Sequence, residues 1–230
     1  RLNMADKIIF SKVRERFGGR LRYAVSGSAA LSKEVAEFID ALGIEVYEGY
    51  GLTETSPIAT ANFPGARKIG SVGRPIPDVR IVIDKEVTGD EKHGEIVIYG
   101  PNIMKGYHNR PEENAKVLMA DGGFRSGDMG YLDEDGYLHI SGRIKEQYKL
   151  ENGKYVVPSP LEELLKLSPF IANIMLYGHN KPYNVALVIP DMEVVRPWAE
   201  EHGHSLNSLT ENKALHEKIM QDIAHYGSEF

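Results

Sequence analysis

Residues 44–54 read Ile-Glu-Val-Tyr-Glu-Gly-Tyr-Gly-Leu-Thr-Glu, a run with strand character that passes into a glycine-rich polar turn. An aromatic ring such as that of Tyr50 can lie against a flat purine base, and glycines on both sides of it let backbone approach a ligand closely. The Thr53 hydroxyl can donate to a phosphate oxygen, and the Glu54 carboxylate is the hard oxygen ligand that Mg²⁺ prefers. The turn therefore predicts a site for a nucleotide and its magnesium ion.

Two later segments supply polar groups that suit the sugar and phosphates of a nucleotide. Residues 125–128 read Arg-Ser-Gly-Asp, and residues 142–145 read Gly-Arg-Ile-Lys. An ionised Asp128 can accept from both hydroxyls of a ribose, and the planar fork of Arg143 suits ribose and phosphate oxygens together. Each segment alone also fits a packed aromatic, a solvated carboxylate or a local turn cap, but the ordered series favours an adenylate site.

The residues around the first turn predict an open α/β sheet. Their periodicity indicates a strand, a turn, a helix and a second strand, at residues 21–25, 26–28, 35–42 and 44–47. Residues 50–54 then fall on the loop beyond the carboxyl end of the second strand, where such sheets place ligands. A further helix is predicted upstream, at residues 4–17.

The rest of the chain changes character twice. Residues 70–142 predict a small distorted β-barrel with one inserted helix that Pro111 begins; its strands are at 80–84, 94–99, 130–132 and 137–140, with a tight turn at 133–136. Beyond Arg143, an α+β pattern has helices at 160–166, from Asp191 and within 206–226, and strands at 171–177 and 185–189.

The expected fold class is therefore α/β with a small distorted β-barrel subdomain, followed by a smaller α+β C-terminal domain. We predict three parts, over residues 1–69, 70–142 and 143–230.

Composition narrows the class of protein without identifying a reaction. A formal net charge of −6 and no basic patch argue against a nucleic-acid partner. With no cysteine, disulfides and thiolate metal sites are excluded, and no apolar run approaches the roughly 20 residues of a membrane span. The eight histidines lack the spacing of a zinc site, so Mg²⁺ is the one metal expected. We expect a cytoplasmic protein, with peripheral contact at the inner face of a membrane as the alternative.

From about residue 21 to about residue 190 the chain resembles the adenylate-forming superfamily that contains acyl-CoA synthetases, firefly luciferase and peptide-synthetase adenylation domains. The resemblance is greatest to long-chain fatty acyl-CoA synthetases. It is carried by residues 26–31, 47–57, 70–75, 94–96, 106–107 and 149–155. It implies that ATP and a carboxylate form an acyl-adenylate and pyrophosphate, after which coenzyme A displaces AMP. The implied small molecules are a fatty acid, ATP, coenzyme A and Mg²⁺.

The resemblance also implies that residues 1–69 are the distal α/β part of a large adenylation domain, that 70–142 are its β-barrel-like subdomain, and that 143–230 are an incomplete, mobile α+β C-terminal lid.

The resemblance further implies roles for individual residues. Nucleotide-binding residues would be Gly27, Ser28, Ala29, Glu48, Gly49, Tyr50, Gly51, Thr53, Asp128, Ile140 and Arg143. Catalytic residues would be Thr53, Glu54 and Lys149, with Glu54 also on the metal. Lys145 would be the hinge about which the lid rotates, and Gly153 would leave room for the pantetheine arm of coenzyme A. Residues 26–29 could instead form no more than a tight turn.

Two features of the family have no counterpart in this sequence: the Ser/Thr/Gly-rich phosphate loop and the adenylation lysine in a Gly-Lys context. We therefore expect an internal or C-terminal part of the enzyme that is inactive in adenylation by itself. Two alternatives stay open. One is an AMP-forming ligase for another carboxylate or for a carrier-protein acceptor, and the other is a truncated nucleotide-binding protein without catalysis. Chain-length preference and oligomeric state leave no pattern in the sequence.

Overall fold

A computed structural model describes residues 10–28, 31–88, 91–206 and 208–227. The chain divides into two compact units, Arg1–Ile144 (unit 1) and Lys145–Phe230 (unit 2). Within the described residues, no helix is both long enough and apolar enough to cross a membrane.

The first sheet of unit 1 is mixed. It has four strands in the order β1-β2-β3-β4, with β1 parallel to β2 and the other neighbours antiparallel. Its elements are α1 (Ser11–Arg16), β1 (Tyr23–Ser26), α2 (Lys33–Ala41), β2 (Glu45–Tyr50), β3 (Thr60–Ala61) and β4 (Arg74–Pro75). Helix α2 begins where the Ser32 hydroxyl accepts from the Val35 amide, and it ends before Gly43, whose φ of 79° favours glycine. Strands β1 and β2 therefore run parallel, and their carboxyl ends lie at the same edge of the sheet.

The second sheet of unit 1 is antiparallel, in the order β5-β6-β7-β8. Its elements are β5 (Arg80–Asp84), β6 (Gly94–Tyr99), α3 (Pro111–Val117), β7 (Phe124–Leu132) and β8 (Leu138–Arg143). Alternate apolar residues form a core that includes Ile96, Ile98, Phe124 and Leu138. The α/β class is confirmed, whereas the barrel is not, because no pairing among the described residues joins β5 to β8.

Unit 2 has its own core. Its elements are β9 (Tyr148–Lys149), β10 (Tyr155–Val156), α4 (Pro158–Leu165), β11 (Ile171–Tyr177), β12 (Val185–Pro190), α5 (Met192–Glu201) and α6 (Lys213–Tyr226). Strands β9 and β10 pair with each other, as do β11 and β12. Apolar residues of α4, β11, α5 and α6 pack together, with Val195 and Leu215 almost fully buried.

Several boundaries differ from the sequence-based prediction. Strand β2 continues to Tyr50 because Tyr50 pairs with Thr60 of β3, so this tyrosine ends the strand instead of lying on the following loop. Strand β7 begins at Phe124 and includes Asp128, because Phe124 and Arg125 already pair with β6. The Arg125 guanidinium also binds Glu95 of β6 and Asp84 of β5. The predicted helix at residues 4–17 is described only from residue 10, and its α-helical part is Ser11–Arg16.

Candidate functional site

Tyr50, Asp128 and Arg143 meet in unit 1 although they lie far apart in the sequence. Asp128 and Arg143 are directly opposite each other in the β7–β8 pair. The Tyr50 hydroxyl donates to Asp128 Oδ2 at 2.7 Å, and Arg143 Nε lies 3.2 Å from Asp128 Oδ1. Three residues predicted from separate segments therefore form one polar cluster, which fixes the orientation of the Asp128 carboxylate.

Burial strengthens the electrostatic interactions between the members of this cluster. Asp128 is only 5% exposed, whereas the Arg143 side chain is 62% exposed. Burial and the negative charge of Asp128 raise the pKa of Tyr50 far above its ordinary value of 10.0. Tyr50 therefore remains a neutral donor to the carboxylate, while the Arg143 guanidinium reaches toward solvent and can meet an anionic ligand.

Thr53 and Glu54 lie in a single turn of 3₁₀-helix, Thr53–Thr55. The turn is anchored by Thr55, which is fully buried; its hydroxyl accepts from the Leu52 amide at 2.9 Å and donates to the Leu52 carbonyl at 3.0 Å. The Thr53 side chain is exposed and Glu54 is half-buried. Sequence reasoning assigned no role to Thr55, although a threonine that follows two candidate ligands is a natural anchor for the turn.

Glu54 is also held from a distant part of unit 1. The Tyr107 hydroxyl donates to Glu54 Oε1 at 2.7 Å, and this bond raises the pKa of Tyr107 to about 12. The sequence assigns residues 106–107 no role beyond carrying part of the resemblance. No local pattern could have predicted the contact, because the two residues are 53 positions apart.

The packing of the loop leaves room only for glycine at position 51. A Cβ at this position would lie 2.0 Å from the Pro57 carbonyl oxygen, so a side chain cannot fit. At Gly49 a Cβ would lie 3.3 Å from the Thr60 oxygen, which is tight but not impossible. The sequence predicts that both glycines let a ligand approach closely, but the packing of the chain against itself already requires a glycine at position 51.

The remaining predicted nucleotide residues of unit 1 that the structure describes lie on or beside strands of both sheets. Gly27 and Ser28 follow β1 and are exposed, and a Cβ on Gly27 would be 3.6 Å from the Gly49 oxygen, in ordinary contact. Ala29 lies outside the described residues. Glu48 is buried in β2, and this burial raises its pKa. Ile140 of β8 and Tyr50 both pack on the apolar core of the second sheet.

Lys145, Lys149 and Gly153 belong to unit 2. Lys145 is exposed in a short 3₁₀ turn, Ile144–Glu146. Lys149 ends β9, with its ammonium 5.3 Å from the centroid of the Tyr155 ring. Gly153, with a φ of 89°, makes the β9–β10 turn beside the Lys149 side chain. The structure thus brings Lys149 and Gly153 together within this unit.

Among the residues that the structure describes, no group of three or more His, Cys, Asp or Glu could hold a metal ion. Glu54 beside Thr53 would provide too few ligands for a dedicated metal cage. One carboxylate does fit a Mg²⁺ ion that keeps water and substrate phosphates as its other ligands.

Two family models match the chain. Residues 2–108 match the model described as AMP-binding enzyme, and residues 145–224 match the model for the AMP-binding enzyme C-terminal domain. Human long-chain-fatty-acid–CoA ligase 1 is 34% identical over 97% of this chain. The match covers 33% of that protein, so the chain spans about a third of the length of the curated relatives it matches.

Solved structures show the same similarity. The A domain of carboxylic acid reductase from Segniliparus rugosus, in complex with AMP and a co-purified carboxylic acid, superposes with a TM-score of 0.74 at 28% identity, over 99% of this chain and 37% of that one. O-succinylbenzoate coenzyme A synthetase from Bacillus subtilis, in complex with ATP and magnesium ion, superposes with a TM-score of 0.63 at 28% identity, over 74% of this chain and 36% of that one.

Proposed function

Because the chain belongs to the AMP-binding enzyme family, we propose that it supplies part of the nucleotide site of an ATP-dependent, AMP-forming acyl-CoA ligase. The observation that carries this proposal is the cluster in which Tyr50 and Arg143 both contact the buried carboxylate of Asp128. A buried, oriented carboxylate beside an exposed guanidinium and an aromatic ring suits a ribose, a phosphate and a purine, respectively.

The proposed reaction has two displacements at one site. In the first, a carboxylate oxygen of the substrate attacks the α-phosphorus of ATP, and the bond to pyrophosphate breaks. In the second, the sulfur of coenzyme A attacks the acyl carbonyl carbon, and AMP leaves with the bonding electrons. Adenylation is needed because AMP is a far better leaving group than the oxide of a free carboxylate.

The residues of unit 1 would bind and orient the nucleotide. Asp128 accepts from the ribose hydroxyls, Arg143 contacts ribose and phosphate oxygens, and the Tyr50 ring lies against adenine. Thr53 donates to a phosphate oxygen, and Glu54 provides one oxygen ligand to Mg²⁺. That ion, when bound, offsets the negative charge that accumulates between carboxylate and phosphate. Gly27, Ser28, Glu48, Gly49 and Ile140 would shape the surrounding walls.

The residues of unit 2 would serve the thioester-forming step. Lys149 would face the nucleotide and Gly153 would leave room for the pantetheine arm. Lys145 would be the hinge, a role supported by its position as the first residue of unit 2 and of the matched C-terminal domain. Movement about a hinge would exchange one set of residues for another and so gate the two steps.

A fatty acid is the proposed carboxylate, because the curated relative from human is a long-chain-fatty-acid–CoA ligase. The O-succinylbenzoate coenzyme A synthetase is named for another acid, which makes a different carboxylate the second candidate. Titration with nonhydrolysable adenylate analogues of long and short acyl chains distinguishes the two, since tighter binding of the long chain favours the fatty acid.

The nucleotide site itself is tested by calorimetric titration of the chain with AMP. Asp128→Ala is expected to weaken binding by roughly 10- to 100-fold, because loss of one charged hydrogen-bonding partner typically costs about 1.5–3 kcal/mol. Asp121→Ala is the matched control, since Asp121 is a carboxylate of unit 1 that accepts from the Tyr99 phenol. Unchanged AMP affinity in Asp128→Ala would remove Asp128 from the site.

A further inference from the structure

Residues 102–107, here called the brace, run beside the turn that carries Thr53 and Glu54. The Asn102 amide donates to the Thr55 carbonyl at 3.1 Å and to the Ile58 carbonyl at 2.7 Å. The Met104 amide donates to the Glu54 carbonyl at 2.8 Å. Two hydrogen bonds thus tie the backbone of the turn to the brace, and a third ties the loop that follows the turn.

The brace ends in a residue that reaches the Glu54 side chain. The Tyr107 hydroxyl donates to Glu54 Oε1 at 2.7 Å. This bond and partial burial raise the pKa of Tyr107 to about 12, so the phenol keeps its proton at neutral pH. It can therefore act only as a donor to the carboxylate in the physiological range.

Tyr107 is itself held in place by helix α3. The Asn114 side chain accepts from the Tyr107 amide at 2.7 Å and donates to the Tyr107 carbonyl at 3.0 Å. Gly106 has a φ of 137°, and a Cβ there would lie 3.1 Å from the Asn114 amide group. The glycine therefore lets Asn114 close on the backbone of Tyr107, and the position of the phenol is fixed from α3.

We propose that Tyr107 is a positioning residue for Glu54: its hydroxyl holds Oε1 and so presents Oε2 to the Mg²⁺ ion of a bound magnesium nucleotide. This proposal rests on the proposed function, because it assigns Glu54 to the metal. A carboxylate ligand commonly depends on such an outer hydrogen bond, and loss of the outer partner typically costs about 10- to 100-fold in metal affinity.

The test compares binding of MgATP and of metal-free AMP by calorimetry in Tyr107→Phe. The expected result is a loss of about 10- to 100-fold in MgATP affinity with AMP affinity unchanged. Tyr99→Phe is the matched control, since it removes a second phenol-to-carboxylate bond of unit 1, from Tyr99 to Asp121 at 2.9 Å. It should change neither affinity.

The outcomes separate the two proposals. Equal loss of MgATP and AMP affinity in Tyr107→Phe, or loss of neither, would overturn the positioning role while the nucleotide site stands. Absence of AMP binding by the wild-type chain would overturn the proposed function, and the role of Tyr107 toward magnesium with it.

Discussion

The fold buries two carboxylates of unit 1, Asp128 and Glu48, in different surroundings. Asp128 is compensated by the Tyr50 phenol and by Arg143, which lies opposite it. For Glu48, desolvation dominates and raises the pKa, although the Leu31 backbone opposes this shift with a hydrogen bond. A buried carboxylate of this kind costs stability when it ionises, which is a common feature of residues placed for binding.

At the residue scale, we expect Glu48→Gln to stabilise the protein at neutral pH. A carboxyl whose pKa is raised by folding contributes stability that is present below the unfolded value and is lost as pH rises through the folded value. The increase in melting temperature over the wild type should therefore be larger at pH 7 than at pH 4. Glu134→Gln, in the exposed β7–β8 turn, is the control. An equal increase at both pH values would contradict the assignment of burial as the cause.

At the scale of elements, the loop from β2 to the 3₁₀ turn is closed by backbone packing at Gly51. We expect Gly51→Ala to lower the free energy of unfolding of unit 1 by about 3 kcal/mol or more, the upper range for overpacking, because its Cβ would overlap the Pro57 oxygen. Gly136→Ala is the control: φ is 80° but space is open, so about 1–2 kcal/mol is expected. Hydrogen–deuterium exchange of the buried Ile98 amide measures the free energy of unfolding of both variants. Similar losses of stability in Gly51→Ala and Gly136→Ala would contradict the explanation by packing.

The sequence predicts some of the strands of unit 1 but not how they pair. The sequence predicted β5 and β6 with the bounds that the structure has, because both are short apolar runs between turn residues. It could not predict the pairing of Asp128 with Arg143, which depends on a register shift between Met129 and Gly130. Pairing with β3 likewise extends β2 to Tyr50. Register and long-range contact are set by partners that a local pattern does not contain.

At the scale of the whole molecule, the core of unit 2 is drawn from residues 165–226, all within that unit. We expect this unit, expressed alone, to fold around Leu215, which is 2% exposed. Leu215→Ala should lower its free energy of unfolding by about 2–5 kcal/mol. Trp198 is the one tryptophan of the chain and packs on this core, so its fluorescence in urea reports the transition.

The control for this substitution is Leu209→Ala, because Leu209 belongs to the same unit but is 39% exposed. A change within about 0.5 kcal/mol is expected there. If the two variants lost similar stability, or if unit 2 alone gave no cooperative transition, the assignment of an independent core would be wrong.

The most direct test of the central claim is to locate a bound nucleotide in the chain by photolabelling with 8-azido-AMP and peptide mapping by mass spectrometry. We expect saturable labelling on the peptide that contains Tyr50, prevented by excess AMP and strongly reduced in Asp128→Ala. Labelling that AMP does not compete, or that falls only on peptides without Tyr50, Asp128 or Arg143, would contradict a nucleotide site at this cluster.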